Sequence, residues 1–417
     1  MVSHPKYLKK IFKNSSEHIE KTNFYDFFKD ILGKGISIVT GPIWHNNRKA
    51  LQPAFQYAML EDFNKIFNKT GDKLLKKFEK ILGRQVDVSP YINSSTMETT
   101  YESILGLNFE ENPEENLKYS NTIYQYIDTC LERIFSPIKR SDFLYQLMPE
   151  HKKQQERLQE ILNFTSAIVD KKREEMKRRS GDNISENSDF GIKKKSTLLD
   201  IILERFKTDE DLPYEYINEE LSTFLTAGHH TVTSVLSSIL YELSKHEDVQ
   251  EKLFEEISSI IEDAKCISTK DINAMEYMEC VVKEGLRLYS PATYIERKLD
   301  YDVEVDGSII PKGTSINIFI FQLHRSEQVY KNAMKFDPDR FSAANIDGRD
   351  PMAFIPFSFG IRNCIGWKFA MIQIKCLLAK IIYNYRMQPL SQHFKLQLYS
   401  DGILKSKNGF PVNLSRR

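Results

Sequence analysis

The sequence predicts a mostly α-helical chain with a small β portion. Three observations carry this. Apolar residues recur at three- and four-residue spacing from Phe63 to Arg179, with Pro90, Pro113, Pro137 and Pro149 as breaks. A second stretch, Tyr214–Lys245, reads as one long helix with Leu221, Phe224, Val235 and Ile239 on a single stripe. Strand-like runs are short and late: Tyr301-Asp-Val-Glu-Val, then Thr314-Ser-Ile-Asn-Ile-Phe-Ile, separated by the turns Asp306-Gly307 and Pro311-Lys-Gly313, and a hairpin over 396–414.

At 417 residues the chain is long enough for two average domains or one large one. Its 58 basic and 58 acidic residues balance, which disfavours a nucleic-acid surface. Five cysteines are scattered without a C-x-x-C, arguing against zinc ribbons and fitting a reducing compartment. No apolar stretch approaches the roughly 20 residues of a membrane-spanning helix.

Taken in order, Ser3-His-Pro5 opens a first helix with an N-cap and a proline in its first turn. A mixed segment follows, ending in Gly33-Lys-Gly35 and Gly41-Pro42. The next helix places Trp44 and Arg48 four apart on one face, where a surface Trp–Arg stack is the plainest reading. Residues 150–180 form a charged amphipathic helix, and 181–195 a flexible surface loop. In the Tyr214–Lys245 helix, Gly228 and Thr231 fall on the buried stripe. Glycine there costs about 1 kcal/mol relative to alanine, and it opens a gap beside a hydroxyl. A helix over 271–289 pairs Glu284 with Arg287 at i, i+3.

The stretch Phe357-Ser-Phe-Gly360-Ile-Arg362-Asn-Cys364-Ile-Gly366 then sets one cysteine in a glycine-punctuated loop, before an apolar helix from Trp367 to about Tyr385. A cysteine just before a helix N-terminus meets the positive end of the dipole and open N–H groups, which favour thiolate over thiol. Gly360 and Gly366 allow turn geometry and let something flat approach the backbone. Such a thiolate suits a nucleophile, a redox thiol or a metal ligand; a buried structural cysteine is the bland alternative.

The pattern F-x-x-G-x-R-x-C-x-G resembles the haem-thiolate loop of the cytochrome P-450 family, and Phe369-Ala370 continues the match. The resemblance implies that fold, with haem between the long central helix and the helix after the cysteine. It makes Cys364 the proximal iron ligand, whose thiolate favours O–O cleavage. Phe357 and Gly366 shape the haem side of that loop, and Arg362 adds a cation beside whatever the thiolate holds. Trp44 and Arg48 are implied donors to one haem propionate and Arg297 to the other. Ala227-Gly228-His229-His230-Thr231 resembles the family's oxygen-binding groove, with His230 where an acid usually stands. Gly228, His230 and Thr231 are therefore the implied catalytic residues, while His229 is expected behind them or facing solvent. Glu284, Arg287 and Arg340, the last within Phe336-Asp-Pro338-Asp-Arg340-Phe341, match a buried structural network that locks the cysteine loop.

Gly33-Lys-Gly35, Leu51-Gln-Pro53-Ala-Phe55 and Gly228-His229 are similar to the fatty-acid omega-hydroxylase branch, family 4. There a glutamate often precedes the groove glycine and bonds to haem; here that position is Ala227, so haem b is expected to be held non-covalently apart from Cys364. The chain opens at about the family's second helix, so residues 1–417 are expected as one P-450 domain lacking the anchor, first helix and first strands. That leaves an unpaired sheet edge. The resemblance implies a monooxygenase acting on long-chain lipid or other hydrophobic substrates with O2. Electrons come from a flavoprotein NADPH-cytochrome reductase, with cytochrome b5 beside it, at the cytosolic face of the endoplasmic reticulum membrane. A haem-thiolate isomerase or lyase acting on lipid peroxides, and a truncated inactive haem-binding protein, remain the alternatives.

Overall fold

The computed structural model describes residues 1–12, 20–182, 197–205, 214–346, 348–388 and 394–417. Helices dominate and strands are short, as the periodicity predicts. The chain divides into two compact units. One comprises Met1–Thr22, Leu60–Thr99 and Gly228–Arg417, the other Asn23–Met59 and Thr100–Ala227. The loop expected over 181–195 lies outside the described residues from 183 onward, and Gly181 and Asp182 close the helix Pro149–Asp182.

In the first unit, four helices build the core: His230–Leu243, Glu247–Ile260, Glu276–Leu288 and Trp367–Asn384. The last is apolar nearly all round, as a fully buried helix must be. It nevertheless carries Lys380, whose side chain is fully buried. Its ammonium donates to Asp72 Oδ1 at 2.6 Å and to the carbonyls of Ala264 (2.6 Å) and Lys265 (3.0 Å). All three donors are thereby satisfied, which is what makes a buried lysine tolerable. Gly71 keeps the passage open, since a Cβ there would lie 2.7 Å from Lys380 Cδ.

The β portion belongs to this unit. Gln85–Asp87, Pro411–Arg416 and Tyr385–Gln388 form an antiparallel three-stranded sheet with Pro411–Arg416 in the centre. Ile295–Lys298 pairs with Ser315–Ile318, setting Arg297 opposite Ile316. Val303–Val305 and Ser308–Ile310 flank the Asp306-Gly307 turn, where both residues have positive φ (48° and 81°), a tight hairpin turn. The expected C-terminal hairpin is narrower, Leu398–Ser400 with Leu404–Ser406, because 411–416 joins the other sheet. Val2 bridges Ile318 in parallel, with hydrogen bonds to Asn317 O and from Phe319 N, so part of the expected bare edge is covered.

Two expected helices are interrupted. The 271–289 run divides into Thr269–Ala274 and Glu276–Leu288, with Ser268 and Asp271 forming a reciprocal capping box. The central run divides at His229 into Tyr214–Gly228 and His230–Leu243, and His229 takes φ −114° and ψ −40°. Gly228 lowers the cost of leaving helical geometry at this point. Thr233 restores the bonding by donating both its N–H and its hydroxyl to the His229 carbonyl, each at 2.9 Å.

In the second unit, the helix Tyr214–Gly228 clamps the Gly33–Ser37 loop. Glu219 Oε2 accepts from Lys34 N at 2.7 Å. Glu220 Oε1 accepts from Ile36 N (3.0 Å), Tyr216 Oη (3.0 Å) and Asn47 Nδ2 (3.2 Å). Asn47 lies on the helix Gly41–Leu51, so this one carboxylate fixes the helix that carries Trp44 and Arg48. Gly33-Lys-Gly35 is required by the close approach: a Cβ on Gly33 would lie 1.7 Å from the Glu219 carboxylate, and on Gly35 2.7 Å from Leu32 O.

Burial pushes the Glu220 carboxyl up to about 7, against the opposing pull of its three donors and with a smaller repulsion from Glu219. The folded state therefore holds a proton between pH 4.5 and 7 that the unfolded chain has released. The contribution is full below pH 4.5 and fades as pH rises through 7, amounting to about 3 kcal/mol. Denaturant unfolding at a series of pH values is expected to show this loss in the wild type, and Glu220→Gln is expected to remove that component of the slope.

Candidate haem-thiolate site

The cysteine loop is built by local hydrogen bonds. Cys364 N donates to Phe357 O at 2.8 Å, closing the loop, and Gly360–Arg362 make a single tight turn within it. Ser358 and Gly360 both have positive φ, 64° and 69°. Gly360 adopts this without strain, whereas for serine it is an uncommon conformation that the surroundings must hold. The surroundings are visible: Arg297 Nη2 donates to Ser358 Oγ at 3.2 Å and Nη1 donates to Glu296 O at 2.8 Å. Gly366 then caps the helix Trp367–Asn384, and Phe369 packs edge-on against Phe63 and Phe67.

Cys364 is exposed, as is Cys266, whereas Cys130, Cys280 and Cys376 are buried. Burial pushes the Cys130 and Cys376 thiols up to about 12 and raises Cys280 as well, so these three are inert. That removes the buried structural reading for Cys364. Among the described residues no group of three or more His, Cys, Asp or Glu could hold a metal ion. The cations suit a cofactor that bears carboxylates: Arg297 is buried beside the loop, and Lys21 stands within electrostatic range of both Arg297 and Arg362.

Behind the loop lies the ion-pair network. Glu284 and Arg287 are fully buried, and the guanidinium grips the carboxylate through Nε (2.6 Å) and Nη2 (2.8 Å). Glu284 Oε1 also accepts from Asp337 N at 2.9 Å, and Arg340 Nε stands 3.4 Å away. Arg340 spends its remaining donors on the carbonyls of Lys331 and Asn332. Arg287 Nη1 donates to His324 O at 2.7 Å, and His324 Nε2 accepts from Ile355 N at 2.9 Å. Ile355 stands two residues before Phe357, so the network reaches the cysteine loop through His324. Burial, then the Arg287 cation, lowers the His324 pKa to about 3, which keeps the ring neutral and able to accept.

In the central-helix region of this unit, Gly228 ends one helix, His230 begins the next, and Thr231 is partly buried. His229 is buried rather than solvent-facing, its ring centroid 4.6 Å from that of His230. His230 lines a cavity of roughly 360 Å³ together with Asn93, Thr233, Ser237 and Lys405. Burial, followed by His229 and Lys405, lowers the His230 pKa to about 2. In the second unit, Trp44 is buried rather than part of a surface stack, its ring edge-on to His45, and Arg48 is partly buried.

Sequence reasoning missed His324, Lys21, Glu219 and Glu220. His324-Arg325 after the apolar run Phe319–Leu323 was an available signal for the first; the others have no spacing rule.

A helical fold with a cysteine in a glycine loop, tied by hydrogen bonds to a buried carboxylate–guanidinium pair, matches what the resemblance to the haem-thiolate class implies. Comparison with known proteins is specific: the description "Cytochrome P450" matches residues 1–414, and the chain belongs to the cytochrome P450 monooxygenase family. It is 34% identical over 403 residues to "Probable cytochrome P450 4ac2" of Drosophila melanogaster, spanning 97% of this chain and 78% of that one. Identity to "Cytochrome P450 4c21" of Blattella germanica is 31% over 408 residues (96% and 81%). "Cytochrome P450 4d8" of Drosophila melanogaster is likewise 31% identical, over 415 residues (97% and 89%). The family implies a haem-thiolate cofactor and a redox partner. Among the described residues no helix is long and apolar enough to cross a membrane.

Removing one member of a buried pair leaves the other charge uncompensated, at a cost of about 3–5 kcal/mol. Glu284→Gln is expected to lose that much in denaturant unfolding. A loss below about 1 kcal/mol would mean that the pair does not hold the loop.

Proposed function

We propose that the chain hydroxylates long-chain lipids or other hydrophobic molecules, combining substrate, O2, two electrons and two protons into alcohol and water. The observation that carries this reading is the exposed Cys364 thiol in its closed glycine loop. The substrate class rests on the runs Gly33-Lys-Gly35, Leu51–Phe55 and Gly228-His229, which resemble the fatty-acid hydroxylase branch.

Cys364 would hold the haem iron through its thiolate; the haem, when bound, would supply oxygen activation and insertion. Arg297 and Arg362 neutralise haem carboxylate, and Trp44 with Arg48 donates to the other carboxylate. Phe357 and Gly366 shape the loop so that a flat ring lies against it. Glu284, Arg287 and Arg340 hold the loop and take no part in the chemistry. Ala227 offers no carboxylate for covalent attachment, so haem b is held non-covalently. Gly228 leaves room for oxygen beside the Thr231 hydroxyl, which passes a proton. His230 is uncharged at neutral pH, so it relays a proton through its two nitrogens rather than by storing one. Electrons come from a flavoprotein NADPH-cytochrome reductase, with cytochrome b5 beside it. The working location is the cytosolic face of the endoplasmic reticulum membrane, as in the family.

The ferrous protein with carbon monoxide tests the ligation. A strongly red-shifted Soret band is expected, and Cys364→Ala is expected to lose it; a wild-type band at the imidazole-like position would overturn the reading. For the relay, His230→Asp is expected to raise product formed per O2 consumed by about two-fold or more. Unchanged coupling would remove this position from proton delivery.

A further inference from the structure

In the second unit, the helix Pro113–Phe135 carries Arg133 close to its C-terminus, with a side chain only 10% exposed. Two rings cover the guanidinium: Cζ lies 4.1 Å from the Tyr145 centroid and 5.2 Å from that of Phe27. Nε donates to Lys139 O at 3.3 Å, and Nη2 donates to Asp142 Oδ1. Among the described residues Nη1 makes no hydrogen bond. A cavity of roughly 440 Å³ opens here, with Arg133, Phe27, Asp142, Tyr145, Gln146 and Gln155 in its lining.

The two members of this ion pair are unequal. Asp142 has 82% of its side chain exposed and opens the five-residue helix Asp142–Gln146. An exposed carboxylate regains water when it lets go, so its release costs little. A buried guanidinium cannot be left bare, so it keeps hold of some acceptor. A carboxylate entering from the cavity would take Nη1 and Nη2 together, two parallel bonds where Asp142 makes one. Of the other lining carboxylates, Asp26 is paired with Lys29 at 2.8 Å, and Asp30 is exposed to water. Phe143, Leu144 and Leu147, just after Asp142 in the chain, are exposed as well, so apolar surface adjoins the cation.

We propose that Arg133 binds the carboxylate of a long-chain acid, with Asp142 as the internal carboxylate that gives way to it. The lipid of the reading above is then held by its acid end. Its turnover rests on that reading, whereas its binding does not. Arg133 is a binding residue here and takes no part in the chemistry.

Calorimetric titration of the ferric protein with dodecanoate and with dodecanol, each below its aggregation limit, tests this. Arg133→Gln is expected to weaken dodecanoate about ten-fold or more, the scale of one hydrogen bond to a charged group. Dodecanol, which lacks the charge, is expected to stay within about two-fold on the same scale. Asp142→Ala is expected to tighten dodecanoate about three-fold, the scale of an exposed ion pair, and to leave dodecanol unchanged. A pair that served only the fold would give no such gain when broken. Arg133→Gln weakening both ligands equally overturns the proposal. So does Asp142→Ala binding dodecanoate no more tightly than wild type. A missing red-shifted carbon monoxide band removes the hydroxylation reading alone, and the titrations still decide the carboxylate site.

Discussion

The Glu284–Arg287 pair is the constraint to which the backbone entering the cysteine loop is tied. Both groups are stripped of water, and such a pair is sustained only when nearly every donor and acceptor finds a partner. Here the carboxylate also takes the Asp337 amide, and the guanidinium also takes the carbonyls of His324 and Lys335. Those carbonyls and amides belong to segments remote in sequence that have no regular ladder of their own. The ion pair therefore acts as a surrogate for secondary structure, organising backbone that would otherwise be irregular. His324 extends it one step further by accepting from Ile355, at the entrance to the cysteine loop.

The loop is also held by Arg297 through Ser358, and the helix Trp367–Asn384 that follows it is pinned by Lys380. One loop with two glycines cannot by itself fix the direction of its cysteine. Rigidity is supplied by charges on the neighbouring elements. The same economy shows in the second unit, where one oxygen of Glu220 positions both the Gly33–Ser37 loop and the helix bearing Trp44 and Arg48.

Burial also decides which titratable groups carry charge. His230 and His324 are kept neutral and Glu220 is pushed towards neutrality, each chiefly by desolvation. Lys380 remains a fully engaged donor because three acceptors surround it. For His230 this matters chemically: where the family resemblance implies an acid, this chain has a ring that burial keeps uncharged at neutral pH.

The sequence alone was enough for the cysteine loop, the Glu284–Arg287 spacing and the helical class, because each is a local pattern. Residues three or four apart share a helix face, and a ten-residue motif is read without knowing where the chain goes next. The break at His229 was not legible, since the apolar stripe runs on through it and only the Thr233 bonds to the His229 carbonyl reveal the change. Nor were His324 and Glu220. Their partners lie 31 residues away at Ile355 and 184 at Ile36. No periodicity records such distances. Whether a buried charge is an anchor or a neutral acceptor depends on what surrounds it, and only the tertiary structure brings those surroundings together.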